Sequence, residues 1–267
     1  MTWVLGVPRL PRMHYVPFLT ALHERLAPET YLEIGVAIGR SLQLSRCRSV
    51  GVDPLFHIQY PLDGDFALVR STSDEFFSRP DPLALTSGRP FDLAFIDGLH
   101  ILEFALRDFI NAERHSSPHG LIVFDDVLPR TIDEAARDRH TGPWTGDVYP
   151  MLEILARYRP DLVVVPVDTQ PTGLLLVFGL DPQSTALSDS FVEILAEFRR
   201  PDPQPVPEDV LDRLTVVPAQ RVLEAQIPEL LADLRGATPD EVRTRLVDVM
   251  ESRLGRAFVP GSSSRAA

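Results

Sequence analysis

The sequence predicts an α/β fold, a doubly wound, seven-stranded and mostly parallel sheet of Rossmann-like type, with an antiparallel hairpin strand near its end and an added helical C-terminal region. Three observations predict it. Short apolar runs alternate with amphipathic stretches between about residues 18 and 180, the signature of βα units around a parallel sheet. Two later apolar runs, Leu162–Val167 and Leu174–Gly179, are joined by the turn-rich segment Asp168–Gly173, which reads as a hairpin and places one antiparallel strand in the sheet. Beyond a proline-rich stretch at 199–208, the periodicity becomes helical.

The individual elements follow from these patterns. Strands are expected at Thr30–Ile34, Ser49–Val52, Phe66–Val69, Phe91–Ile96 and Gly120–Phe124. A helix is expected over Ile101–Arg114, where Leu102, Leu106, Phe109 and Ile110 share one face. Thr238-Pro239-Asp240-Glu241 forms a capping box with Pro at the first helical position. Val242, Leu246, Val249, Met250 and Leu254 then form an apolar stripe that Gly255 can end. That stripe suits packing on the main domain, a second copy of the chain in a homo-oligomer, or a lid. The expected organisation is a cofactor-binding domain at 1–182, a helical extension at 183–258 and a disordered tail at 259–267.

Composition narrows the function. Over 267 residues, 44% hydrophobic and 24% charged is ordinary globular usage. No uncharged apolar run approaches the roughly 18 residues of a membrane span, so no membrane partner is expected. The first residues lack the pattern of a signal peptide, and Cys47 is the only cysteine, so a reducing cytoplasm is expected. A net charge of −12, without a basic stripe, argues against nucleic acid. All 26 basic residues are Arg, which excludes Schiff-base lysine chemistry and a P-loop lysine.

Residues 31–39 read Tyr-Leu-Glu-Ile-Gly-Val-Ala-Ile-Gly after a strand. Gly35 and Gly39 let the backbone turn tightly and approach a ligand without a Cβ clash. The next strand ends in Val52-Asp53, and a carboxylate there can accept both hydroxyls of a ribose. A dehydrogenase would need G-x-G-x-x-G, which is not present. With Glu33 before the first glycine, this region resembles motif I of the class I methyltransferases, followed by the acidic end of their second strand. Such enzymes also end their sheet in a hairpin. The resemblance implies S-adenosylmethionine as cofactor, with Glu33, Gly35 and Gly39 around its methionine part and Asp53 on its ribose. It places Ser71, Thr72 and Ser73 near the adenine, and Asp97 at the rim facing the cofactor.

Two further segments carry chemistry. Asp97 ends the strand Phe91–Ile96, with His100 three residues on, and Asp125-Asp126 end the next strand. Adjacent strand ends bring Asp97, Asp125 and Asp126 to one rim, where like charges call for a cation, and hard oxygen ligands suit Mg²⁺. The latter two acids follow Asp97 by 28 and 29 residues. This resembles the metal-dependent O-methyltransferases, more closely the sugar type than the catechol type, which has Asn at the position of Asp126. The resemblance spans about residues 28–180. It implies metal-assisted methylation of a hydroxylated small molecule, a sugar or natural product, with Asp97 and His100 as the catalytic pair and His100 taking the proton. A metal-independent transferase using His100 and Asp97 on oxygen or nitrogen, and a non-catalytic binding or assembly protein, are the competing readings. Asp147 is expected to cap the helix that follows it, and Trp144 and Tyr149 to wall the acceptor pocket.

Overall fold

A computed structural model describes residues 12–255. Residues 1–11 and the tail expected to be disordered at 259–267 lie outside them. In chain order the elements are β1 (Met13–His14), α1 (Tyr15–Leu26), β2 (Thr30–Ile34), β3 (Arg48–Val52), β4 (Phe66–Val69), α2 (Ser73–Phe77), β5 (Phe91–Ile96), α3 (Leu102–Arg114), β6 (Ser116–Asp125), α4 (Met151–Tyr158), β7 (Val163–Gln170) and β8 (Leu174–Phe178). After these come α5 (Ala186–Asp189), α6 (Phe191–Phe198), α7 (Glu208–Leu211), β9 (Val217–Pro218), α8 (Ala219–Glu224), α9 (Ile227–Asp233) and α10 (Pro239–Arg253).

The sheet runs β1-β7-β8-β6-β5-β2-β3-β4, with β9 also pairing β7. Only β8 runs antiparallel to its neighbours, β6 and β7, as the two apolar runs implied. The expected seven strands become nine. The added pair, β1 and β9, are two-residue strands on the outer edge of β7, too short to show any hydrophobic period. β6 begins at Ser116 rather than Gly120, because a register shift opposite Phe91–Leu93 accommodates Pro118.

Alternation along the strands splits the core into two layers. Leu32, Ile34, Ile122 and Phe124 face α2, α3 and α4. Tyr31, Leu93, Phe95, Leu121 and Val123 face α1 and the C-terminal helices. Within that second layer Val242, Leu246 and Met250 of α10 are buried against the sheet side, so the predicted stripe is spent on packing inside the chain. The capping box forms as expected, with Thr238 accepting from the Glu241 amide. Segment 199–207 is a strap rather than a free linker: the Asp202 carboxylate accepts the backbone N–H groups of Arg137 and Asp138, and Gln204 is buried. No helix among the described residues is long and apolar enough to cross a membrane.

His23, on the buried face of α1, packs edge-on against Tyr31, and its Nδ1 has no hydrogen-bond partner. Burial, reinforced by the charge of Arg46, lowers its pKa from 6.5 to about 4. Between those values the unfolded chain binds a proton that the folded chain refuses, so stability falls as pH drops from 6.5 towards 4. At about 1.4 kcal/mol per unit, urea denaturation at pH 7 and 4.5 should show a loss that is smaller by about 2 kcal/mol in His23→Phe than in the parent chain. Equal losses in both proteins would contradict this assignment.

Candidate active site

Strand order reverses beside β2: the chain passes outward through β3 and β4, then returns to β5 on the other side. Such a switch point opens a crevice at the carboxyl ends of the strands. Gly35 sits there with φ +89°, and a Cβ on it would fall almost onto the Asp97 carbonyl oxygen. The glycine is therefore required by the close approach of the β2 and β5 ends. Gly39, at φ +81°, lets the turn close over the Ile58 side chain. Glu33 is fully buried and accepts hydrogen bonds from the Tyr31 hydroxyl at 2.5 Å and the Ser41 hydroxyl at 2.9 Å. Burial raises its carboxyl to about 8, so it is a buttress under the turn rather than an open surface for a ligand. Asp53 accepts from the Ala37 amide at 2.7 Å and the Leu55 amide at 2.6 Å, tying the glycine turn to the loop after β3.

The predicted adenine neighbours have local duties. Thr72 is the N-cap of α2 in a capping box with Glu75, the Ser71 hydroxyl donates to the Thr72 carbonyl, and Ser73 is the first residue of that helix. They stand at the carboxyl end of β4, on the same side of the sheet as Asp53.

Asp97, His100 and Asp126 converge. His100 Nε2 lies 3.1 Å from an Asp97 oxygen, and Nδ1 lies 3.0 Å from an Asp126 oxygen. One ligand atom from each of the three falls within 4.8 Å of the others. Asp126 holds this position with φ +60°, a left-handed conformation that bends the chain sharply at the end of β6. Asp125, expected in the metal set, is outside that group. Its carboxylate is buried and accepts its neighbour's amide at 2.8 Å. Asp126 lies just past the end of β6, where its left-handed bend parts the two adjacent carboxylates, and His100 takes the third place. Burial, together with the charges of Asp126 and Asp97, pushes the Asp125 carboxyl well above its ordinary range. Asp97 is raised as well, by burial, partly offset by His100. Burial alone would lower His100, but the carboxylates of Asp126 and Asp97 facing its two ring nitrogens raise it to about 11. The imidazole is thus the cation that the two carboxylates hold.

The loop after β6 locks His100. Trp144 stacks on the imidazole at 5.3 Å, and its indole N–H donates to the Ala136 carbonyl. Gly146 has φ +57°, and a Cβ there would strike the His100 carbonyl. Asp147 does not cap the helix that follows it, which starts at Met151 behind Pro150. It is fully buried, pairs with Arg137 and accepts the Leu102 amide at 2.9 Å, so it caps α3 from 45 residues away. Asp97 does not cap α3 either, since the N-cap is Ile101. Tyr149 turns away from the site into a cavity lined by Pro150, Phe198 and Pro207. Sequence reasoning missed Tyr15, at the start of α1. Its hydroxyl is hydrogen-bonded to Arg40 and lies near Asp125 and Asp97, and burial and those charges push it to about 12.

Residues 32–127 match the model of a family described as a methyltransferase domain. Three solved structures are similar in outline. A Klebsiella pneumoniae protein provisionally described as an O-methyltransferase is 19% identical, with a TM-score of 0.48 over 65% of this chain and 83% of its own. A Bacillus cereus O-methyltransferase in complex with SAH is 19% identical, with a TM-score of 0.42 over 61% and 79%. A Streptomyces achromogenes O-methyltransferase of tomaymycin synthesis, in complex with SAM, is 18% identical, with a TM-score of 0.44 over 61% and 78%. None of the curated proteins matches the chain significantly.

Proposed function

We propose, for a chain that carries a methyltransferase domain at residues 32–127 and the mixed sheet of the class I methyltransferase fold, that it transfers the methyl group of S-adenosylmethionine to a hydroxyl oxygen of a small molecule with the help of a divalent cation. The observation that carries this reading is the Asp97–His100–Asp126 cluster beside the Gly35 turn. Two carboxylates and an imidazole, with atoms within 4.8 Å of one another, form a donor set that fits Mg²⁺ or Mn²⁺. A bound divalent ion would supply Lewis acidity, lowering the pKa of the acceptor hydroxyl.

The chain's own residues do the rest. The Gly35–Gly39 turn and the Asp53 carboxylate shape the cofactor side, and Asp97 stands between that side and the acceptor. His100 held between two carboxylates is charged and cannot accept a proton. Asp97 and Asp126 would hold such an ion, and its positive charge beside them would favour the neutral imidazole, leaving His100 able to coordinate or to act as a base. The competing metal-independent reading lacks any such step for releasing His100.

Calorimetric titration of Mn²⁺ and Mg²⁺ into the parent chain and Asp126→Asn tests this without relying on an acceptor. One saturable site in the parent, weakened roughly tenfold or more in the variant, is expected. Equal binding in the two proteins, or none in either, would remove the metal from the reading. Loss of turnover in excess chelator, restored by added metal, is the matching result for activity.

A further inference from the structure

Asp126 sits on a short span of chain between two anchors, and both anchors lie on one hairpin. On one side Asp125 pairs Leu174 in the antiparallel ladder of β6 and β8. On the other the Leu128 amide donates to the Thr172 carbonyl at 2.7 Å. The Leu128 side chain is buried against Gly173, where φ is +70° and a Cβ would overlap it. Left-handed backbone is unfavourable at a residue with a Cβ and persists where its surroundings fix it, so the bend at Asp126 depends on these anchors.

The Leu128 anchor is completed by one side chain from the C-terminal extension, Arg213. The helix α7 ends at Leu211, and Arg213 takes φ +53° before the chain reaches β9, which adds to the edge of β7 at Val167 and Asp168. Its side chain, 6% exposed, lies against the β7–β8 turn. Nη1 donates to the Asp168 carboxylate at 2.6 Å and the Thr169 carbonyl at 3.2 Å. Nη2 donates to the Pro171 carbonyl at 2.7 Å and the Leu128 carbonyl at 3.2 Å. Leu128 thus has its amide on the hairpin and its carbonyl on Arg213.

A planar fork that reaches four acceptors is a task for Arg, which the single ammonium of Lys cannot repeat. Burying such a charge beside Asp168 adds little net stability over apolar packing, because desolvation offsets the attraction. What the guanidinium does fix is geometry, two residues from Asp126.

We propose that Arg213 is a positioning residue for Asp126: through the Leu128 carbonyl, the C-terminal extension sets where the Asp126 carboxylate stands relative to His100 and Asp97. The role deepens the proposed reaction and rests on that reading for the task of Asp126 as a cation ligand. It gives the extension a part in the site beyond the packing of α10 on the sheet.

The test compares Arg213→Gln and Arg213→Lys with Arg243→Gln in the full chain. Arg243 also fastens the extension, but its bonds go to the Asp161 carboxylate and the Gly179 carbonyl rather than to the loop after β6. Mn²⁺ and S-adenosylmethionine affinities are measured by calorimetry, and the His100 imidazole signals of the metal-free protein by NMR. Both Arg213 variants should bind Mn²⁺ roughly tenfold or more weakly and shift the His100 signals, with S-adenosylmethionine affinity within about twofold of the parent. Arg243→Gln should lower the thermal midpoint and move neither readout. Folded Arg213 variants that behave as Arg243→Gln does, with Mn²⁺ affinity and His100 signals unmoved, overturn the proposal. A parent chain that binds no Mn²⁺ defeats the metal reading by itself. The His100 signals then decide the positioning role: a shift in the Arg213 variants sustains it, and unshifted signals overturn it. If Arg213→Gln fails to fold by circular dichroism, Arg213→Lys carries the comparison.

Discussion

Asp97→Asn should lower kcat by about a thousandfold while S-adenosylmethionine binds within severalfold of the parent. The substitution keeps the side-chain volume and removes the charge. Asp97 is the one group shared by every part of the site. Its carbonyl receives the Gly35 approach, and its carboxylate meets the His100 imidazole at 3.1 Å. Without its charge, the proposed cation-binding set would lose one of its two carboxylates, and His100 loses one of the two anions that raise it to about 11. Single-turnover assays with cofactor binding measured in parallel separate the two effects. Unchanged turnover would remove Asp97 from the chemistry, and abolished cofactor binding would make it a structural residue of the glycine turn.

Gly35→Ala should act in the opposite order, destroying cofactor binding first. The added Cβ meets backbone rather than a movable side chain, and φ +89° is a conformation that non-glycine residues rarely adopt. Overlap and backbone strain together should cost about 3 kcal/mol or more. The thermal midpoint should fall, and because relieving the overlap must displace the turn from the Asp97 backbone, S-adenosylmethionine affinity should drop by about two orders of magnitude. A variant that folds with the parent's midpoint and binds cofactor normally would show that the turn has room, and that the β2 and β5 ends need not meet so closely.

Much of this was legible in the sequence because it is written in short-range patterns. Runs such as Phe91–Ile96 are buried on both faces, so their strands stand out as continuous apolar stretches. The Gly35 turn, Asp53, Asp97 and Asp126 all sit at strand ends, which the runs themselves locate. What stayed hidden depends on contacts between distant segments. Asp147 caps a helix 45 residues upstream, and nothing local distinguishes that from capping the helix ahead. Of the pair Asp125-Asp126, the sequence could not tell which joins His100, because that is set by the left-handed bend at Asp126. Tyr15 reaches the acids only because α1 packs under the sheet, and Arg235 bonds the carbonyls at the end of α1 only because the C-terminal helices fold back across it.

The central claim, that the Gly35–Asp53 crevice beside Asp97 is a methyl-donor site, is tested most directly by calorimetry with S-adenosylmethionine, using NAD as control and repeating the titration with Mg²⁺. The account predicts saturable binding of S-adenosylmethionine and none of NAD, with an added heat when the metal is present. Absence of S-adenosylmethionine binding in both conditions, in protein shown to be folded, would contradict it.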